Sequence, residues 1–364
     1  MKREEAITQV LKNGVSRGDV VGVVGLVTDA EKTLFLGAEG LSNLEKKEEM
    51  SPDALFCIAS MTKPITAVAV MMLQDEGKLS LDDSLEKHLP EFSELKNAAG
   101  EKVSVTLRQC LAHTSGMSDV SLEEENSAEK LADLIPMILE KPTLFNPGER
   151  WEYCQTSINM AAHVVEVISG KSFPEFLQKR IFDPLGMNET SFYPSEEQAS
   201  RLARNYMRAD SGEWKDDGWS WITHDRLMDA SRYPKANAGL FSTASDYALF
   251  CRMLLNEGEL GGRRYLSGEA VRELRSVQSG DLETGFTPGN AWGVGCCVVC
   301  HPQGVTDALS AGSFGHGGLY GTQAWLDPVK KTAHILMLQR TDLDNADGSE
   351  FRKEFHQSAS LLAP

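Results

Sequence analysis

Apolar and polar positions alternate along this chain in two different rhythms. Residues 3–17 carry the helical period, so the chain opens on an amphipathic helix. "VVGVVGLVTD" (20–29) and "TLFLGAEG" (33–40) are short apolar runs around a polar break, the pattern of two strands in a hairpin-like pair. From Thr62 to about Asp75 the period is helical again, and Gly77 ends it. Between about 65 and 240 helical patterns alternate with turn signals such as "NPGE", "DPLG" and "FYPSEE". Strand patterns return in "AWGVGCCVVC" (291–300), "YGTQAWLD" (320–327) and "KKTAHILMLQ" (330–339), and "SEFRKEFHQSASLL" (349–362) is a closing helix.

Strands at both ends with helices between predict an α+β fold: an antiparallel sheet flanked by helices and built from both termini, with a mostly helical lobe inserted. The expected division is 1–64 plus 240–364 for the sheet-bearing lobe and 65–239 for the helical one, with a cleft between them. At 364 residues the chain suits about two lobes. Its 41% hydrophobic and 24% charged residues are those of an ordinary globular protein. A net charge of −17 argues against nucleic acid and anionic membrane as partners. "MKREEAITQV" lacks the apolar core of a signal peptide, and no stretch approaches a membrane span. Seven scattered cysteines read as reduced thiols. Together these make the cytoplasm the expected location.

The chemistry begins at "IASMTKPITAV" (58–68). Side chains three apart on a helix lie about 5–6 Å from one another, so Lys63 can reach the Ser60 hydroxyl. Pro64 belongs in the first turn of a helix, which places the start near Ser60. The hydroxyl then sits at the positive end of the helix dipole among unpaired N–H groups, where a nucleophile gains a proton acceptor and donors for an oxyanion. The bland alternative is a helix cap followed by a surface lysine, and Ser-x-x-Lys alone does not separate the two.

Two further stretches do. "NPGERWEYCQTSINMAAHVVEVISG" (146–170) is a turn, a short extended piece and an apolar helix, and "SFGHGGLYGTQAWLDP" (313–328) is a glycine-rich turn beside a strand. With "SMTK" they resemble the three signatures of the serine β-lactamase and penicillin-binding-protein superfamily, on the side of class C β-lactamases, D,D-peptidases and family VIII carboxylesterases. The first signature is Ser60 to Lys63. The second, usually Tyr-x-Asn, is Tyr153-Cys154-Gln155, after Pro147-Gly148 and Trp151. The third, Lys-Thr-Gly or His-x-Gly, is His316-Gly317-Gly318. "LRQCLAHTSGM" (107–117) and "ANAGLFSTASDYALF" (236–250) are similar to the family's framework segments, and the resemblance runs from about residue 5 to 362.

The resemblance implies that Ser60 is acylated, that Lys63 and Tyr153 share the proton transfers, and that the backbone N–H groups of Ser60 and Leu319 form the oxyanion hole. Either Lys63 or Tyr153 can be the base on sequence alone. Gly317 and Gly318 let the strand backbone approach the acyl group. Substrate contacts fall to Gln155, His316, Gly317 and Gly318, and no cofactor or metal is implied.

Two departures shape the substrate expectation. Gln155 replaces the usual asparagine and moves the amide by about a methylene. His316 replaces a lysine that binds the carboxylate of β-lactams, and an unperturbed histidine is mostly neutral at pH 7. A carboxylesterase on small or medium acyl esters fits best; the alternatives are a D-amino-acid peptidase or amidase, a class C-like β-lactamase, or a catalytically silent binding relative. The intact Ser60, Lys63 and Tyr153 speak against the last.

Other chemistry-bearing residues have plainer readings. Cys296, Cys297, Cys300 and His301 lack a second ligand pair at zinc spacing and read as strand side chains. His113 belongs to a framework turn. Trp214, Trp219 and Trp221 stand in a polar segment (212–225), either packed on the helical lobe or lining an acyl pocket. "SLEEENSAEK" (121–130) reads as a solvated acidic loop, and "GNAWGVG" lacks the context of a nucleotide site.

Overall fold

The computed structural model describes residues 3–285, 287–343 and 349–363. Its framework is an antiparallel sheet fed from both ends of the chain. Early in the chain come helix α1 (Arg3–Arg17) and strands β1 (Gly22–Asp29), β2 (Thr33–Asn43) and β3 (Glu48–Glu49). Helices α2 (Thr62–Asp75), α3 (Gln155–Ser169) and α4 (Ala244–Leu255) follow, with shorter turns of helix between them. The late segment supplies β4 (Asn290–Trp292), β5 (Cys297–Val299), β6 (Phe314–Gly317), β7 (Gln323–Asp327), β8 (Thr332–Leu338) and helix α5 (Glu350–Ser360). The strand order is β4-β5-β6-β7-β8-β1-β2-β3, so β1 lies beside β8, with Val23 opposite Leu338 and Asp29 opposite Thr332.

Both faces of the sheet are covered, which explains why β1 reads as an almost unbroken apolar run. Val23 and Val27 join Ile7 and Leu11 of α1 and Phe351 and Phe355 of α5 in one cluster. Val24 and Leu26 point the other way, into a core shared with α2, α3 and α4. The α2 helix is apolar nearly all round because it runs through that core, and Thr62 through Leu73 are all buried. Gly170, at φ 66°, closes α3 in the left-handed conformation common to helix ends.

Three local readings are corrected. "AWGVGCCVVC" is two strands, β4 and β5, with Trp292 opposite Cys297 and a turn between. Gly295 makes that turn at φ 67°, and a Cβ there would lie 2.6 Å from the Ala67 Cβ of α2, so only glycine fits. The stretch 313–328, read as a glycine-rich turn beside a strand, is two paired strands, β6 and β7, with the turn between them, and His316 and Gly317 lie on β6. Finally, 121–130 contains a helical turn, Leu122–Ser127, with a Ser121–Glu124 capping box, and its Glu125 is buried rather than solvated. Within 212–225, Trp214 lies on a small strand, Trp214–Asp216, paired with Tyr206–Arg208.

Candidate active site

Three elements meet at Ser60. A single helical turn, Ala59–Met61, leads into α2, as the position of Pro64 predicts. The segment is fixed on both sides. Phe56 and Cys57 pair with Ser242 and Phe241, the Ile58 N–H donates to the Leu240 carbonyl at 3.1 Å, and the Tyr247 hydroxyl donates to the Met61 carbonyl at 3.1 Å. Ala59 is held at φ 43°, a left-handed conformation costing a non-glycine residue about 1–3 kcal/mol. The surrounding pairs hold that strained step immediately before the serine. Gly318 presses on the same segment: a Cβ there would lie 2.6 Å from the Ile58 carbonyl oxygen.

Lys63 is completely buried, and its Nζ donates to Ser60 Oγ at 3.0 Å, Gln155 Oε1 at 2.8 Å and the Asn237 carbonyl at 2.9 Å. Desolvation is the main force on this ammonium. It draws the pKa down from the ordinary lysine range to about 7, with the charge of Lys235 adding to the fall and Asp119 opposing it. The Tyr153 ring lies 4.7 Å from Lys63 Nζ. Burial raises the Tyr153 phenol above its ordinary range, while a hydrogen bond with Ser60 acts against the rise. A lysine amine near neutrality within reach of a hydroxyl can accept its proton, and a neutral phenol can donate one.

His316 stands on the far side of Tyr153, its Nε2 3.4 Å from the phenolic oxygen. Its Nδ1 lies 2.6 Å from the Gly317 carbonyl, which requires the proton on Nδ1. Burial, with the nearby charge of Lys63, lowers its pKa to about 3, so the ring is neutral at physiological pH.

Asp119, which the sequence does not single out, and His113, read there as part of a framework turn, complete the support. Asp119 Oδ1 accepts from the Gln155 N–H at 2.7 Å and the Thr156 N–H at 2.9 Å, anchoring the start of α3 beside Tyr153. His113 is buried; its Nδ1 accepts from the Cys154 N–H at 3.1 Å and its ring lies 4.3 Å from that of Tyr153. Nothing local signals Asp119, which lies 36 residues before the first backbone N–H it accepts from, or that Asn237 will face Lys63.

Ser60, Tyr153, Gln155, His316, Gly317 and Leu319 all line one cavity of about 270 Å³. Gly318 is set back against Ile58. Of the three tryptophans in 212–225, Trp221 lines this cavity. Trp219 faces an adjoining one and donates from Nε1 to Gln339 Oε1 at 3.0 Å, while Trp214 lies elsewhere, stacked 4.1 Å from the Arg208 guanidinium. The rest of the aromatic wall comes from Trp292 and Trp325, on β4 and β7. Lys235 and Arg352 also line the cavity; Lys235 is ion-paired with the buried Glu125, and Arg352 Nη2 donates to the Gly321 carbonyl at 3.0 Å. Cys297 reaches the cavity wall, Cys296 is buried away from it, and His301 is exposed. Among the described residues no group of three or more His, Cys, Asp or Glu side chains is placed to hold a metal ion, and no helix is long and apolar enough to cross a membrane.

The chain is similar to known proteins along most of its length. The sequence profile of the beta-lactamase family matches residues 7–357. Protein Rv1367c of Mycobacterium tuberculosis is 31% identical over 334 residues, covering 85% of this chain and 80% of that protein. Esterase EstB of Burkholderia gladioli is 26% identical over 356 residues, covering 90% of this chain and 88% of EstB. Among solved structures, EstCE1, described as a hydrolase with promiscuous acyltransferase activity, superposes with a TM-score of 0.84 at 22% identity, covering 99% of this chain and 98% of EstCE1. The chain belongs to the beta-lactamase family, among the serine hydrolases of the β-lactamase and penicillin-binding-protein superfamily.

Proposed function

We propose that the protein is a carboxylesterase that works through an acyl-enzyme on Ser60. The observation that carries the proposal is the buried Lys63 amine, 3.0 Å from Ser60 Oγ and drawn down to about pKa 7. In its neutral form Lys63 takes the hydroxyl proton as Ser60 Oγ bonds to the ester carbonyl carbon. The carbonyl oxygen takes up the negative charge and is received by the backbone N–H groups of Ser60 and Leu319. As the tetrahedral intermediate collapses, the C–O bond to the alcohol breaks, and Tyr153 donates a proton to the leaving oxygen and regains one from Lys63. Water, deprotonated by the same pair, then attacks the acyl carbon and releases Ser60.

Ester substrates are favoured because the position that often carries a lysine is here His316, which burial keeps neutral. The similarity to Esterase EstB supports the same reading. One observation favours a second reading, a peptidase or amidase on D-amino-acid substrates. Arg352 lines the cavity, and an arginine suits a terminal carboxylate.

A panel of p-nitrophenyl esters, nitrocefin and D-Ala-p-nitroanilide on one preparation separates these. Short esters turned over efficiently, with nitrocefin slow or merely acylating Ser60, is the expected result. Faster turnover of the D-Ala anilide than of any ester would favour the second reading.

A further inference from the structure

A second chamber of about 200 Å³ adjoins the catalytic cavity, and Ser220, Trp221 and Lys235 form the wall that they share. Its lining is aromatic and cationic, with Trp219, Trp221 and Tyr233 beside Arg226, Arg232 and Lys235. In a chain of net charge −17 such a lining is unexpected. Two of the three cations have carboxylate partners. Arg226 pairs with Asp229 at 3.4 Å, and Lys235 pairs with Glu125, itself part of the lining.

Arg232 differs. It is only 7% exposed, and no carboxylate of the described residues pairs with it; Asp229 acts on it through charge alone. Its Nε donates to the Arg226 carbonyl at 3.3 Å and its Nη2 to the carbonyls of Phe192 and Leu227, while Nη1 is buried with no hydrogen-bond partner among the described residues. The guanidinium lies over two rings, 4.7 Å from the centre of Tyr193 and 5.5 Å from that of Trp221. A buried cation lacking a counter-charge is costly to keep, and three carbonyls with two ring faces offset that only in part.

We propose that this chamber receives a carboxylate carried at the non-reacting end of the substrate, with Arg232 as its anchor. The proposal rests on the acyl-enzyme reading above and narrows its substrate to esters with an anionic far end. A single charge suits the site, since a dianion such as a phosphate monoester would also face Glu125. The aromatic walls suit the apolar chain that joins the carboxylate to the ester.

Binding to Ser60→Ala protein tests this without relying on turnover. One calorimetric series compares monomethyl esters of dicarboxylic acids with methyl alkanoates of equal length. A second compares ω-acetoxy carboxylates with alkyl acetates, because the chamber can serve either side of the ester. In one series, at some chain length, the carboxylate ligand should bind at least about tenfold more tightly, the worth of one charge-assisted hydrogen bond. Arg232→Met should bring that ratio close to one, and Arg232→Lys should retain part of it. No carboxylate preference in either series overturns the proposal, as does a preference that persists in folded Arg232→Met protein, which would point to Arg352 or Lys235 instead. Failure of the acyl-enzyme reading would show separately, as absence of ester turnover by the unaltered protein.

Discussion

Lys63 and Tyr153 divide the proton work because one dry environment moves their pKa values in opposite directions: burial destabilises the ammonium of one and the phenolate of the other. Replacing Lys63 by alanine or Tyr153 by phenylalanine should each lower kcat/KM for a short ester by roughly 10²–10⁴-fold. The two act on one proton, so the double variant should lose far less than the product of the single losses; full additivity would mean that they serve different steps. Lys63 must be neutral to accept a proton, so kcat/KM should rise with pH along a limb centred near 7 and level off above it. A limb centred near the ordinary lysine value would contradict the desolvated site. At this scale the sequence is informative where chemistry depends on spacing: Ser60, Pro64 and Lys63 declare their geometry because a helix fixes it. The Asn237 carbonyl, Trp292 and the Lys235–Glu125 pair could not be read, because they reach the site from elements remote in sequence.

Elements hold those residues in place through a few buried polar contacts. The start of α3 depends on Asp119, whose carboxylate accepts two backbone N–H groups. Asp119→Ala should destabilise the fold by about 1–2 kcal/mol in denaturant titration, as loss of a helix cap does, and lower kcat more than it raises KM. A variant as stable and active as the parent would remove Asp119 from the account. On the opposite side of the sheet, His334 of β8 and His356 of α5 stack with their Nδ1 atoms 3.3 Å apart. Both are buried; Asp327 raises the pKa of His334 and Lys330 lowers it, while Arg352 lowers that of His356. Burial brings His334 down to about 4 and takes His356 well below its ordinary value. The unfolded chain therefore binds protons near pH 6.5 that the folded chain refuses, and stability falls as pH drops from about 6.5 towards 4. The melting temperature should decline across that window, and a His334→Leu/His356→Leu variant should make the decline shallower, the remainder belonging to His113 and His316, whose pKa values burial also lowers. Persistence of the full slope would place the acid sensitivity elsewhere. The hydrophobic rhythm revealed the sheet-forming ends and α2, but it merged β4 with β5, since a tight glycine turn between two buried strands interrupts no apolar run.

The whole molecule brings the ends of the chain together so that β6 stands opposite the Ser60 turn. That outline was legible because strand patterns at both termini enclose helical ones. The charge reading was not transferable to the site: a net −17 describes the outer surface and conceals cationic linings around both chambers. The three signatures converge on Ser60, and the most direct test of that convergence is covalent labelling. Incubation with a fluorophosphonate, followed by digestion and mass spectrometry, should place a single adduct on Ser60, at a rate that follows the loss of esterase activity. Ser60→Ala protein should take up no label. An adduct on a different serine, or labelling that persists in Ser60→Ala, would contradict the account.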